Sequence, residues 1–343
     1  MPEAIDFADM KYSLYLFLLL LSASLAGRTA DSSGVDFEVN VSKILMGTVV
    51  ETTARYPDIA HCKQALLDAY HEMERVENLL SYQKSSSEIS RINNSAGIKP
   101  VHVSEETFSI LQRSVNYAHK LQGLFDITIG PVTSLWGFSS PEGGHLPQKK
   151  EILQRLASVD YRNLALNTRD TTAFLKRRGM LIDLGGIAKG YAIDRASFVL
   201  KQNDITDFIL NAGGDIYVSG QKDLTTLWRI GVKDPRNQEE LIARFDLKNY
   251  AVATSGDYER FIIVNGKRYH HIFDPRTGYP GQLAQSATTF APTAEEADVL
   301  ATFLFILGPE QAQKDKFAHP FLFVDASGRK IMNRAFRELP GLE

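Results

Sequence analysis

Three stretches carry residue types at spacings that chemistry needs. In "APTAEEADVLATFLFILGPE" (291–310), Asp298 and Thr302 stand four positions apart, on one face of any helix that forms there. Their neighbours are nearly all apolar, and an unpaired carboxylate in such surroundings is costly, so Asp298 needs a partner. A carboxylate and a hydroxyl one turn apart suit a hard, oxygen-seeking cation such as magnesium, completed by backbone carbonyls, water or phosphate. The local alternative is that Asp298 caps a loop and Thr302 bonds back to its own helix. In "LIDLGGIAKGYAIDRA" (181–196), an apolar run ends in Asp183, then Gly185, Gly186 and a lone Lys189. A strand ending in Gly-Gly ahead of a helix permits close backbone approach and presents amides that favour anions; Lys189 adds a full positive charge. The stretch is neither a P-loop nor a dinucleotide fingerprint, and a glycine pair is also an ordinary turn.

The third stretch, "YHHIFDPRTGYP" (269–280), sets His270 and His271 just before an Asp274-Pro275 turn. A histidine at a strand end can act as general base or bind phosphate, and strand alternation sends the two rings to opposite faces. Two solvated turn histidines are the alternative reading. "TSGDYERF" (254–261) adds a second acid, Asp257, at a strand-to-turn junction. "SYQKSSSEISRIN" and "GLFDITIGPVTSLWGF" supply Tyr82, Phe125, Asp126 and Trp136. Aromatics beside hydrogen-bonding groups suit a planar ring system, although each also suits a core.

The elements that must position these residues are read from periodicity and turn chemistry. Residues 37–56 alternate and are rich in β-branched side chains, giving two strands around a Met46-Gly47-Thr48 turn. Residues 58–80 place Ala65, Leu66, Ala69, Met73, Val76 and Leu80 at helical spacing. A capped helix starts at Ser104, after a polar, turn-rich segment at 81–97; a loop follows through Gly130, Pro131, Trp136 and Gly137. Further helices are expected at 148–157, 189–202 and 293–307, the last with a Thr293/Glu296 capping box and a Gly308-Pro309 stop. Two strands are expected between 164 and 183, strands with glycine-marked turns dominate 207–291, and a hairpin around Ser327-Gly328 closes the chain. Strands run in blocks rather than alternating with helices, so the fold class is α+β.

At 343 residues the chain has ample length for a proper core. A net charge of -3 excludes a general nucleic-acid binder, which carries a basic surplus. One cysteine, Cys62, excludes an internal disulfide and any cysteine-built metal site. Near the N-terminus one lysine precedes an apolar run, Leu14 to Leu21, then small residues, the layout of a secretory leader, with an uncleaved anchor helix as the alternative reading. A start at Met10 would remove three acids from its n-region. Residues 1–30 are therefore assigned to leader and linker, and 35–343 to one folded domain destined for export.

In this order the segments resemble the FAD:protein FMN transferase family, the ApbE-like flavin transferases. The resemblance rests on "MGT" (46–48), "SYQKSSSEISRIN" (81–93), "GLFDITIGPVTSLWGF" (123–138), "IDLGGIAKGYAIDRA" (182–196), "NAGGDIYVSG" (211–220), "VATSGDYERF" (252–261), "HHIFDPRTGYP" (270–280) and "APTAEEADVLATFLFILG" (291–308). It implies an α+β fold of antiparallel and mixed sheets flanked by helices. It implies an enzyme that takes FAD with magnesium, joins FMN to a threonine hydroxyl of an acceptor protein and releases AMP. The acceptor would be a flavin-carrying subunit of a membrane redox complex, and the location the periplasm. Many members are lipoproteins; the leader here lacks the cysteine for that, so attachment to the inner membrane stays open. Carried over by position, the metal ligands are the Gly186 carbonyl, Asp298 and Thr302. FAD contacts fall on Met46, Tyr82, Gln83, Asp126, Lys189 and Gln285, and His271, or else Asp257, is the candidate base. Hydrolysis of FAD to FMN and AMP, or non-enzymatic flavin carriage, are the competing readings.

Overall fold

The β-branched, alternating segments pair into an eight-stranded sheet, seen in a computed structural model that describes residues 36–140 and 143–343. The expected leader lies outside the described residues. The sheet's members are β1 (Phe37–Leu45), β2 (Thr48–Tyr56), β6 (Asp207–Ala212), β7 (Asp215–Ser219), β10 (Tyr250–Gly256), β13 (Ala284–Ala291), β14 (Phe321–Asp325) and β15 (Lys330–Met332). They are hydrogen-bonded in that order, each pair antiparallel. Smaller sheets join β3 (Val101–His102), β5 (Thr172–Leu175) and β4 (Leu164–Asn167); β8 (Trp228–Lys233) and β9 (Leu241–Leu247); and β11 (Phe261–Val264) and β12 (Lys267–His270).

Alternation sorts the sheet's two faces. In β10, Ala251 and Ala253 enter the core beneath the helices, while Val252 enters a second core on the opposite face. That second core is covered by the β8–β9 hairpin and by Phe336 of α9 (Arg334–Arg337), whose ring meets Phe245 and Phe290 edge to face. Each of these three buried rings contributes about 1.5–3 kcal/mol of hydrophobic stabilisation. The helical face carries α1 (Ile59–Leu80), α6 (Ala188–Gln202) and α7 (Ala294–Leu307), with α1 on α6, α6 on α7, and α7 against β10 and β13. Helix α1 starts where Asp58 accepts the Ala60 and His61 N–H groups, and it buries the expected stripe from Ala65 to Leu80. Around this frame stand α2 (Glu88–Asn94), α3 (Glu105–Lys120), α4 (Gly130–Trp136), α5 (Lys149–Leu156) and α8 (Pro309–Lys314). Asp36 to Glu343 form one compact unit.

The structure corrects several local expectations. The polar segment at 81–97 contains α2, because Ser87 caps it by accepting the Ser90 N–H at 3.0 Å. The loop expected at 130–137 is α4, with Pro131 in the first turn, where its missing N–H costs nothing, and Gly137 closing it at φ 72°. Residues 181–183 are no strand. Leu181 makes only an isolated parallel bridge to Ile129, and the Asp183 N–H donates to the Ile127 carbonyl at 2.8 Å, while the Asn93 amide takes both the N–H and the carbonyl of Ile182, at 2.7 and 3.0 Å. Only half of the expected capping box forms: Thr293 accepts the Glu296 N–H at 3.2 Å, while Asp194 of α6 accepts those of Ala294 and Glu295, at 2.8 and 2.9 Å. The last residues of "FLFVDASGRKIMNRAF" form α9 rather than extending the hairpin, with Asn333 as its cap.

Candidate active site

Segments distant in sequence converge on one cavity of about 630 Å³, within the usual range for small-molecule sites. The Met46-Gly47-Thr48 turn forms part of its rim. Met46 and Gly47 both have positive φ, the two-residue hairpin geometry that Leu45 and Thr48 close as a register pair. Tyr82 and Gln83, just after α1, line the same opening, with Gln83 exposed. Phe125 and Phe273 add aromatic wall, as does Phe138, stacked on buried Trp136 with ring centres 6.3 Å apart. On the floor lie Gly186, Lys189, Asp298 and Thr302.

The floor is set by the close approach of α6 to α7. A methyl group at Gly190 would stand 2.2 Å from the Ala294 carbonyl oxygen, so only glycine lets the two helices touch there. The Gly190 N–H donates to Asp298 Oδ2 at 3.1 Å, and Lys189 Nζ stands 3.8 Å from Asp298 Oδ1. These are the partners the apolar helix demanded for its carboxylate. Burial pushes the Asp298 carboxyl up, against the pull of Lys189. Burial works against the Lys189 charge too, but Asp215 and Asp298 hold the ammonium well above the ordinary lysine range. Thr302, one turn beyond Asp298, has its Oγ1 3.4 Å from Ser255 Oγ. Gly186 faces it: a side chain there would begin 3.4 Å from Thr302 Oγ1 and 3.2 Å from the Phe125 ring.

The two histidines part as alternation requires. His270 is buried, with Nε2 donating to the Gly281 carbonyl at 2.7 Å, Nδ1 accepting the Ile272 N–H, and its ring edge-on to Phe305. His271 turns into the cavity, where its Nδ1 is enclosed and has no hydrogen-bond partner among the described residues. Burial, with His270 and Arg260 nearby, brings the His271 ring down to about 3, so it is neutral at ordinary pH.

Two expected site residues lie elsewhere. Asp257 is not in the cavity wall: its carboxylate takes both Nη atoms of Arg236 at 2.7 Å and faces Arg268 at 3.5 Å. Gln285 falls outside as well, its amide reaching the Ala326 carbonyl at 3.4 Å. Asp126 reaches the wall, but its carboxylate is engaged by Thr128 N, Thr128 Oγ1 and Tyr161 N. It therefore ties two loops together, and burial raises its carboxyl above the usual range. Sequence reasoning passed over Asp215 and Arg260, and named Asp183 without a role. Asp215 hydrogen-bonds Lys189 and is buried; Asp183 anchors the turn by accepting from Gly185 N and Thr133 Oγ1, both at 2.8 Å; Arg260 is a second cation on the wall. The available signal was an acid directly after Gly213-Gly214, inside a motif already singled out.

An antiparallel α+β domain thus sets a glycine turn, a carboxylate, a hydroxyl and a lysine on the floor of one cavity walled by aromatic rings. The chain belongs to the ApbE family, whose model matches residues 46–316. A Klebsiella pneumoniae FAD:protein FMN transferase is 33% identical over 274 residues, 79% of this chain and 83% of that one. A Haemophilus influenzae protein of the same name is 32% identical over 286 residues, 80% and 82% of the two chains. Among solved structures, the Thermotoga maritima ApbE protein superimposes with a TM-score of 0.82 at 34% identity, covering 88% of this chain and 99% of that one. The Vibrio cholerae flavin transferase ApbE gives 0.78 at 27%, covering 89% and 100%.

Proposed function

We propose that this chain is an FAD:protein FMN transferase, acting outside the cytoplasmic membrane on an acceptor protein that presents a threonine. The observation that carries this reading is the convergence of Gly186, Lys189, Asp298, Thr302 and His271 on one cavity in a member of this family. The acceptor would be a flavin-carrying subunit of a membrane redox complex, and the leader-like run before residue 30 supports export.

The donor set fits magnesium. Asp298, Thr302 and the Gly186 carbonyl offer hard oxygen only, and no group of three His, Cys, Asp or Glu side chains among the described residues competes as a cage. The missing side chain at Gly186 is what leaves space beside Thr302 Oγ1. When bound, magnesium supplies charge neutralisation across a pyrophosphate and its leaving phosphate.

The chain's own residues do the rest. Lys189 brings a fixed positive charge to the floor, and the aromatic wall receives planar rings. His271, neutral and lining the cavity, is the group placed to accept the proton of the incoming threonine hydroxyl, a weak nucleophile without a base. The threonine oxygen bonds to the FMN phosphorus, the bond from that phosphorus to the AMP oxygen breaks, and AMP departs. Asp257, held by two arginines away from the cavity, has no geometry for the same task. Following AMP from FAD and magnesium with and without a threonine-bearing acceptor tests the reading. Release that depends on acceptor supports transfer; equal release without it would make the chain a FAD pyrophosphatase. No AMP release under either condition, with FAD still bound, would point to a flavin carrier.

A further inference from the structure

Asp215 is the most enclosed acid on the cavity wall, and no step above uses it. Its position is fixed by backbone geometry. It follows a two-residue turn of Gly213 and Gly214, at φ 64° and 97°, where residues with side chains are strained. A Cβ on Gly213 would also meet Thr48 Oγ1 at 2.4 Å, so the β6–β7 tip is wedged against the β1–β2 tip. Asp215 opens β7 with 2% of its surface exposed, and its carboxylate accepts a hydrogen bond from Lys189 Nζ. The same ammonium stands 3.8 Å from Asp298 Oδ1, about 1 Å beyond a charge-assisted hydrogen bond.

Lys189 thus hangs between two buried carboxylates and is bonded to only one. A lysine head on a flexible stem moves to whichever buried partner remains. We propose that Asp215 is a positioning residue that holds Lys189 away from Asp298, so that Asp298 stays free to ligate a divalent cation. With Asp215 present, one ammonium faces two carboxylates and the cluster keeps a negative charge for the ion. Without it, Lys189 and Asp298 close into a neutral pair that excludes the ion. Glu259 also attracts Lys189 but is exposed at the rim, where solvent weakens its hold.

This inference rests on the metal-site reading above, and one titration separates the two. Manganese is added to the FAD-free protein, and unbound ion is followed by its paramagnetic resonance signal. Asp298→Ala is expected to lose binding; binding like that of the parent protein would remove the metal-site reading itself. Given that loss, Asp215→Asn is expected to weaken manganese binding about tenfold or more, as changes behind a metal ligand do. Lys189→Met is expected to bind at least as tightly as the parent. In that background the loss caused by Asp215→Asn should be smaller than in the parent, since only the direct effect of one charge on the ion is left. Unchanged affinity in Asp215→Asn overturns the inference. So does an undiminished loss in the Lys189→Met background, which would place Asp215 directly on the ion. Should Asp215→Asn melt before it can be titrated, Lys189→Met decides alone: weaker binding than the parent overturns it.

Discussion

Replacing Gly190 with alanine sets two effects of opposite sign against each other at the floor of the cavity. Alanine in a helix interior is favoured over glycine by about 1 kcal/mol, which by itself would stabilise α6. The added methyl, however, would lie 2.2 Å from the Ala294 carbonyl oxygen and 2.7 Å from Glu295 Cα. Carbon and oxygen do not approach closer than about 3.3 Å, so the helices must part by about 1 Å. Both obstructing atoms are backbone, and no rotamer relieves them. Overpacking of this kind costs about 1–3 kcal/mol, and the bond from Gly190 N–H to Asp298 lengthens with it. The net effect is a loss of about 1–2 kcal/mol, which lowers the melting temperature by about 2–5 °C in a domain of this size. The functional effect is larger, because α6 carries Lys189 while α7 carries Asp298 and Thr302. A displacement of about 1 Å between reacting groups costs about 100-fold in rate. Thermal unfolding and magnesium-stimulated release of AMP from FAD, measured on one preparation, read both. An unchanged melting temperature with turnover within about twofold of the parent would refute the packing of these helices as the device that sets the floor.

Three further outcomes follow from the same geometry. His271→Ala should still bind FAD yet lose FMN transfer by about 100-fold or more, whereas Asp257→Asn should stay within a few-fold of the parent; the reverse ranking in single-turnover assays would exchange their roles. The His271 ring should show no titration by NMR between pH 8 and 5 in FAD-free protein, its value being near 3. Because that value is depressed, the unfolded chain takes up the proton first, so this group lowers stability as pH falls from about 6.5 toward 3 and has no effect above. Asp194→Ala removes the acceptor of two N–H groups that open α7 and should cost about 1–3 kcal/mol by denaturant titration; a smaller loss than that from an exposed cap would show that the bonds at 2.8 and 2.9 Å do not hold the helix.

Most of what positions the site is written locally in the chain. Thr293 and Gly308 bound α7 as their types require, and the Asp298/Thr302 spacing then fixes which face they share. The segments from 207 to 291 declare themselves as strands through β-branched alternation, and the same alternation separates His270 from His271. What stayed hidden depends on contacts between distant segments. Asp215 reads as the residue after a glycine turn until β6 and β7 meet Thr48 and Lys189. The apolar "LID" run reads as a strand, yet its backbone pairing stops at one bridge, because nothing local reveals that Asn93, 89 residues away, takes the hydrogen bonds of Ile182. Asp257 reads as a base because its arginine partners come from β12 and from the turn after β8. Gln285 sits one residue from Ser286, beside the shift in strand pairing between Ala284 and Ser286, which no turn residue announces.

The most direct measurement is intact-protein mass spectrometry of a threonine-bearing acceptor after incubation with this chain, FAD and magnesium. The acceptor should gain the mass of FMN less one water, on threonine, with AMP formed in equal amount; magnesium removal or Asp298→Ala should abolish the gain. An unmodified acceptor alongside free FMN and AMP would contradict protein flavinylation, and full modification by the magnesium-free Asp298→Ala variant would contradict the oxygen-donor floor.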